Sequence, residues 1–326
     1  MKRALLCSAF AALLTGCGLC PSPPSAATGT AARYPITDVA TAPATPVRNQ
    51  AKSGTCWAFG GVSLIESEAI RTRRCTLDLS EMWVVRHAYF EKAVKYVRTR
   101  GRAAFDQGGE IQDVLWLVDR YGIVPQSLYE GGAADVTYDH ASLAKAIRRL
   151  AKRIVDKKLY EKEHWQRMID EELDRRLGAR PDRFVIDGVA YTPFSYADSI
   201  GFRRDDYIAL TSFTHHPFFE RFVLEIPDNW AAHATLNIPL DSLMRLLDSA
   251  LAAGYTAAWD TDVSERGFGR RAGIALLPQQ EGRITLPAPE IVVDQPLRQR
   301  MFDTQATTDD HVMHIVGTAV NSLGNS

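Results

Sequence analysis

Cys56 is the residue around which chemistry is easiest to build. It stands in Gln50-Ala51-Lys52-Ser53-Gly54-Thr55-Cys56-Trp57-Ala58-Phe59, where a glycine-containing turn runs straight into a predicted helix continuing through Leu64, Ile65 and Ala69. A cysteine at a helix N-terminus meets unsatisfied amides and the positive end of the helix dipole. Both favour the thiolate, the nucleophilic form, and predict a lowered thiol pKa. The same amides can donate to the oxyanion formed when a thiolate attacks a carbonyl. Gln50, six residues upstream, can bring its side-chain amide beside them as a second donor. The plainer alternative makes Cys56 a small buried hydrophobe at the start of a core helix and Trp57 simply core.

Those residues have to be held by a turn, a long helix and something that faces them. The stretch is similar to the papain family of cysteine peptidases, in which a glutamine, a Gly-x-Cys-Trp turn and a long central helix form one half of the active site. Gln50, Gly54, Cys56 and Trp57 match that pattern. Leu79-Ser80-Glu81-Met82 resembles the family's Leu-Ser-Glu-Gln segment, and Gly108-Gly109 resembles the glycine pair whose backbone bonds to an extended substrate. Glycine suits that task because a side chain would obstruct close approach. The resemblance therefore implies substrate contacts at Trp57, Gly108 and Gly109. Local readings remain beside it: a helix cap at Ser80, and a plain loop at the glycines leading into a helix over residues 110–121 that Gly122 closes.

The facing element is Asp310-His311-Val312-Met313-His314-Ile315-Val316-Gly317, β-branched and apolar enough for a strand, which resembles the family strand that opens with the catalytic histidine. Strand alternation puts His311, Met313 and Ile315 on one side and Val312, His314 and Val316 on the other, so both histidines cannot face one thiolate. By position in the motif His311 is implied as the base and His314 as structural. A shared metal site with Asp309 and Asp310 is disfavoured for the same reason, since opposite faces of a strand do not readily share an ion. The adjacent His215-His216 reads as packing or surface, and no metal is expected.

In the family an asparagine from an Asn-Ser-Trp-Gly segment orients the histidine. Asn321-Ser322-Leu323-Gly324 superficially resembles it, without the Trp and at shorter spacing, which makes Asn321 the candidate for that role. If the C-terminal strands are truncated there, the strand at His311 is expected to lack a hairpin partner and to expose an edge.

Leu210-Thr211-Ser212-Phe213-Thr214-His215-His216-Pro217-Phe218, Pro227-Asp228-Asn229-Trp230, Tyr121-Gly122-Ile123-Val124-Pro125 and Trp259-Asp260-Thr261-Asp262-Val263-Ser264 resemble the bleomycin hydrolase and aminopeptidase C branch. Between these segments, Leu143, Ile147, Leu150 and Ile154, then Trp165, Ile169 and Leu173, recur at helical spacing and predict a helical insertion over about residues 136–180. The expected fold class is α+β: a papain-like two-lobe fold, one lobe helical and one strand-rich, over residues 46–326, with the site in the cleft between them.

The N-terminus carries a different message. Met1-Lys2-Arg3 and the apolar run that follows form a secretion signal too short for a stable span, and Leu14-Thr15-Gly16-Cys17 resembles the bacterial lipobox, with Cys17 as the acylated residue. Residues 1–17 are thus a lipoprotein signal segment. Gly18 after the cysteine favours, by resemblance to Gram-negative lipoproteins, the outer membrane facing the periplasm. Residues 18–45 are rich in Pro, Ser, Ala and Thr and read as a tether. Five cysteines are too few for a disulfide framework, although a Cys20 to Cys75 bridge stays open.

A formal net charge of -1 leaves no basic stripe for a polyanion, so nucleic acid is not an expected partner. The resulting expectation is an exported cysteine-type peptidase acting on peptides or proteins, anchored by lipid and requiring no cofactor. The alternatives are a catalytically silent papain-fold lipoprotein acting as a binding module and, more distantly, a transglutaminase-like acyl transferase. Peptide preference, endo- or exo-action and oligomeric state are not readable from the chain.

Overall fold

The computed structural model describes residues 36–132, 138–265, 267–269, 273–279 and 289–321. Cys17, Cys20 and the signal segment lie outside the described residues. Among those that are described, no helix is long and apolar enough to cross a membrane.

The chain opens with strand β1 (Ile36–Thr41) and then builds a helical half from α1 (Cys56–Arg73), α2 (Glu81–Arg98), α3 (Ile111–Tyr121), α4 (Ala141–Asp156) and α5 (Lys162–Leu177). A short hairpin of β2 (Phe184–Ile186) and β3 (Val189–Tyr191) leads to α6 (Pro193–Ser199). The second half holds β4 (Leu210–Thr211), β5 (Arg221–Val223), β6 (Ala234–Asn237), α7 (Leu240–Ala252), β7 (Ala257–Thr261), β8 (Phe268–Gly269) and β9 (Ile274–Ala275). It closes with α8 (Gln295–Asp303), β10 (His311–Ile315) and β11 (Gly317–Asn321). The expected α+β class and the helical insertion are both present.

Local chemistry explains the helix limits. Ser80 caps α2, its Oγ accepting the Trp83 N–H at 2.9 Å, with Glu81 in the first turn and Lys95 and Arg98 in the last, where the helix dipole favours them. Helix α3 stops at Gly122, whose φ of +69° and close approach to the Pro193 backbone leave no room for a side chain. The insertion helices bury the stripe expected of them: Leu143, Ile147 and Ile154 from α4, and Trp165, Ile169 and Leu173 from α5. Both pack on α2. There the fully buried Arg86 reaches Asp170 at 2.9 Å and Asp174 at 2.5 Å, tying α2 to α5 by charge-assisted bonds.

Two N- and C-terminal expectations are corrected. The tether does not run to residue 45, because Ile36–Thr41 pair antiparallel with β11 and Ala42 is buried. The strand at His311 does gain a partner, all five of its residues pairing with the distant β7, His311 opposite Thr261 and Ile315 opposite Ala257, but among the described residues β10 and β7 form a two-stranded sheet, so the expected open edge of β10 remains.

Glu66 is a buried acid in the middle of α1. Its Oε1 accepts the Leu79 N–H at 2.7 Å and its Oε2 accepts the Thr45 hydroxyl, so it clips the segments flanking the helix. Burial nevertheless pushes its carboxyl up to about 7 from 4.5. The folded state therefore binds the proton more tightly than the unfolded chain. Its contribution is fully present below about pH 4.5 and is lost as pH rises through about 7. Glu66→Gln, which keeps the shape, should flatten the fall in unfolding free energy between pH 5 and pH 8 by on the order of 3 kcal/mol. Parallel denaturant titrations at the two pH values check this, and an unchanged slope would refute it.

Candidate active site

Helix α1 begins at Cys56 itself, directly after the buried Thr55. The loop in front of it is held from several sides. Gln50 Nε2 donates to the Ser53 carbonyl at 2.6 Å, and Gln107 Oε1 accepts the Gly54 N–H at 2.9 Å. The Trp57 indole N–H donates to the Gln107 carbonyl at 3.0 Å. These bonds fix the turn that aims the cysteine.

The strand facing the cysteine is brought in by small residues. Gly60 and Gly61 each cost α1 about 1 kcal/mol of helix propensity relative to alanine, so their presence needs a packing reason. A Cβ on Gly60 would lie 2.6 Å from Val312 Cγ1, and one on Gly61 would lie 2.6 Å from Val114 Cγ2. The glycines let β10 and α3 approach the helix backbone from two sides. One turn further along α1, Ser63 Oγ is 2.8 Å from His314 Nδ1. Moving down β10 from His314 to Val312 thus moves from Ser63 to Gly60, and the start of the strand arrives at the helix N-terminus. The Val312 and Trp57 backbone amides act there on the Cys56 thiol, favouring its ionised form.

Val312 and His314 therefore face α1, as alternation requires, and His311 sits one residue from the amide that acts on the thiol. His311 is half-buried. Its backbone position is set by Asp310, whose carboxylate accepts the Val263 N–H at 2.8 Å and the Ser264 N–H at 3.1 Å. His314 is the structural histidine, its pKa lowered to about 4 by burial. Asn321 ends β11 opposite Ile36.

The thiol departs from the expectation of a lowered pKa. Cys56 is half-buried, and its pKa is raised, first by burial and further by the nearby charges of Asp260 and Asp228, against the opposing pull of the Val312 and Trp57 amides. Loss of water outweighs the helix end. Left to itself the resting group is a thiol, so a base has to take its proton.

Trp57 is corrected as well. At 1% exposure it is a core residue that braces the loop, not a surface for substrate. The glycine pair lies at the same junction, and its need for glycine is visible in the packing. A Cβ on Gly108 would strike the Asp228 carboxylate, and one on the buried Gly109 would press on the Trp57 ring and on Asp113 at 3.0 Å. The Gly108 carbonyl already accepts a bond from the Lys92 ammonium.

His215 and His216 behave as packing groups. Their Nε2 atoms lie 3.2 Å and 2.8 Å from the two oxygens of Glu225. Thr214 N–H fixes the Gln299 amide by donating to its Oε1, so Gln299 Nε2 donates to His215 Nδ1 at 3.0 Å. With Nδ1 accepting, the His215 proton is on Nε2, the atom facing Glu225.

Sequence reasoning gives Gln107, Glu110, Asp228 and Asp260 no role beside the thiol, although Asp228 and Asp260 lie in segments that resemble the bleomycin hydrolase branch, and it weighs Asp309 and Asp310 only as metal ligands.

Residues 35–166 match the family described as papain family cysteine protease. PepW from Lactobacillus rhamnosis HN001 shares the fold with a TM-score of 0.64 at 17% sequence identity, over 89% of this chain and 73% of that one. No curated protein matches the chain in sequence.

Proposed function

We propose that this chain, papain-like in its sequence over residues 35–166 and in its fold, is a cysteine peptidase in which Cys56 is the nucleophile and His311 the base. The observation that carries the reading is the close packing of β10, which opens with His311, on the N-terminal half of the helix that begins at Cys56, Val312 lying against Gly60.

In this reading His311 takes the thiol proton as Cys56 attacks the peptide carbonyl, and the imidazolium then protonates the leaving amine. Water, deprotonated by the same imidazole, releases the acyl group. Gln50 supports the oxyanion. One of its amide protons holds the Ser53 carbonyl, and a primary amide has a second to offer beside the Cys56 N–H. Asn321 is the proposed orienting residue. Gly108 and Gly109 form the floor along which an extended peptide lies. The chemistry needs no metal or organic cofactor.

The test is a peptide pool together with an epoxide that alkylates activated thiols. Hydrolysis and labelling that both vanish in Cys56→Ala support the proposal. A folded wild-type protein that shows neither would be a silent binding module instead.

The N-terminal residues support a cellular setting for that activity. We place the chain on the outer membrane, facing the periplasm, through an acyl chain on Cys17. Labelled palmitate should enter the full-length wild type and not Cys17→Ser; equal incorporation would remove the anchor.

A further inference from the structure

Acidic side chains from three distant parts of the chain converge beside Cys56. Glu110 comes from the residue that precedes α3, Asp260 from β7 and Asp309 from the approach to β10. A carboxylate oxygen from each lies within 4.8 Å of those of the other two. Asp260 is opposite Val312 in the ladder, and directly opposed residues share a face. It therefore points with Val312 toward the N-terminus of α1, where its charge acts on the thiol. Asp228, lying over Gly108, adds a fourth carboxyl at the rim and acts on both Glu110 and Asp260.

Glu110 is the telling member. It is 7% exposed, and its Oε1 is buried with no hydrogen-bond partner, although the group belongs to this cluster. Buried polar atoms are nearly always paired, so a buried, unpaired oxygen on a residue of this acidic cluster marks a place for a donor. Burial and the neighbouring carboxylates push Glu110 up to about 9 and Asp260 to about 7, while burial and Asp310 raise Asp309. Lys92 offers relief only at the rim: it lowers Asp228, and its ammonium already serves the Asp106 and Gly108 carbonyls. His311 stands two residues beyond Asp309, on the opposite face of the strand from Asp260's partner Val312.

We propose that Glu110, Asp260 and Asp309, with Asp228 at the rim, form a pocket that receives a cationic group of the peptide substrate. This rests on the peptidase reading only in making the occupant a substrate. An ammonium or guanidinium is a cluster of N–H donors with a positive charge. It gives Glu110 Oε1 its missing bond and lets neighbouring carboxyls ionise together. The shared chemistry has two sources in a peptide, a Lys or Arg side chain and the free N-terminal amine. Either, seated beside Cys56, sets which bond lies over the thiol.

Binding to Cys56→Ala separates recognition from turnover. Three peptides with a C-terminal fluorophore serve as probes: N-acetylated with an arginine, N-acetylated with citrulline in its place, and the citrulline peptide with a free N-terminus. Fluorescence anisotropy should show one of the cationic peptides binding at least tenfold more tightly than the neutral one, and which one identifies the source. That advantage should disappear when Glu110→Gln, Asp260→Asn and Asp309→Asn are added. Asp309→Asn alone, at a half-buried position, guards against a misfolded triple variant and should lose part of the advantage.

Equal affinity for the three peptides, or binding of none, overturns the proposal. So does one calcium ion bound per chain, lost in the triple variant, without any peptide preference: that result belongs to a metal site. Hydrolysis by the chain with Cys56 intact judges the peptidase reading by itself. A cationic preference without hydrolysis keeps the pocket and removes the enzyme, whereas equal hydrolysis of the three peptides does the reverse.

Discussion

His311→Ala is expected to lower kcat/KM by about 10^3-fold or more, and Cys56→Ala to leave no turnover above background, with the double variant no worse than Cys56→Ala. Residues that act as one unit lose their joint effect together. The structure adds a distinction between the two. Because burial and the charges of Asp260 and Asp228 hold the Cys56 thiol up, the proposed mechanism requires the histidine to create the nucleophile at neutral pH. Iodoacetamide should therefore label Cys56 at least tenfold more slowly in His311→Ala than in the wild type at pH 7. The gap should close at alkaline pH, as the thiol loses its proton to solvent. Identical labelling of both proteins at pH 7 would exclude His311 as the base, whatever the rate of hydrolysis.

Gly60→Ala is the second large effect, and it should separate activity from stability. Alanine favours the helix by about 1 kcal/mol over glycine. Its methyl, however, would sit 2.6 Å from Val312 Cγ1, a buried and β-branched side chain with little freedom to turn away. Overpacking of this kind costs about 1–3 kcal/mol, so the two effects largely offset and the melting temperature should move by about 5 °C or less. The accommodation that remains is a small displacement of β10 from α1. A misplacement of about 1 Å in a reacting pair can cost about 100-fold in rate. A loss of about 10- to 100-fold in kcat/KM is expected, with most of it restored in Gly60→Ala/Val312→Ala, where the methyl is given room. An active single variant would show that the helix and the strand do not need this distance.

The contrast between the legible and the illegible parts of the chain follows from the range of the interactions. Helix α1 begins at Cys56, α3 closes at Gly122 and the insertion buries its stripe because propensity, glycine conformation and 3.6-residue periodicity are all local. Residue alternation likewise separated His311 from His314. Strand β1 escaped because Ile-Thr-Asp-Val-Ala-Thr has the composition of the polar stretch before it, and only its partner β11, far along the chain, makes it a strand. Trp57 shows the danger of carrying a role over by motif: the match placed the residue correctly and its burial gave it a different task. The thiol pKa failed for a related reason, since a helix end is visible in a sequence and loss of water is not. Glu110, Asp260 and Asp309 come together through tertiary folding alone, and no spacing rule links them.

The two elements that meet at Gly60 are far apart in the chain: Ser63 on α1 and His314 on β10 are in contact across 251 residues. A ribosome or a secretion channel delivers the thiol first and the facing strand almost last. Until β10 has emerged and docked against Gly60, the N-terminal half of α1 lacks the strand that packs on it. The packing of β10 on α1 is thus among the last long-range contacts the chain can make, and whatever depends on it waits for nearly the whole sequence.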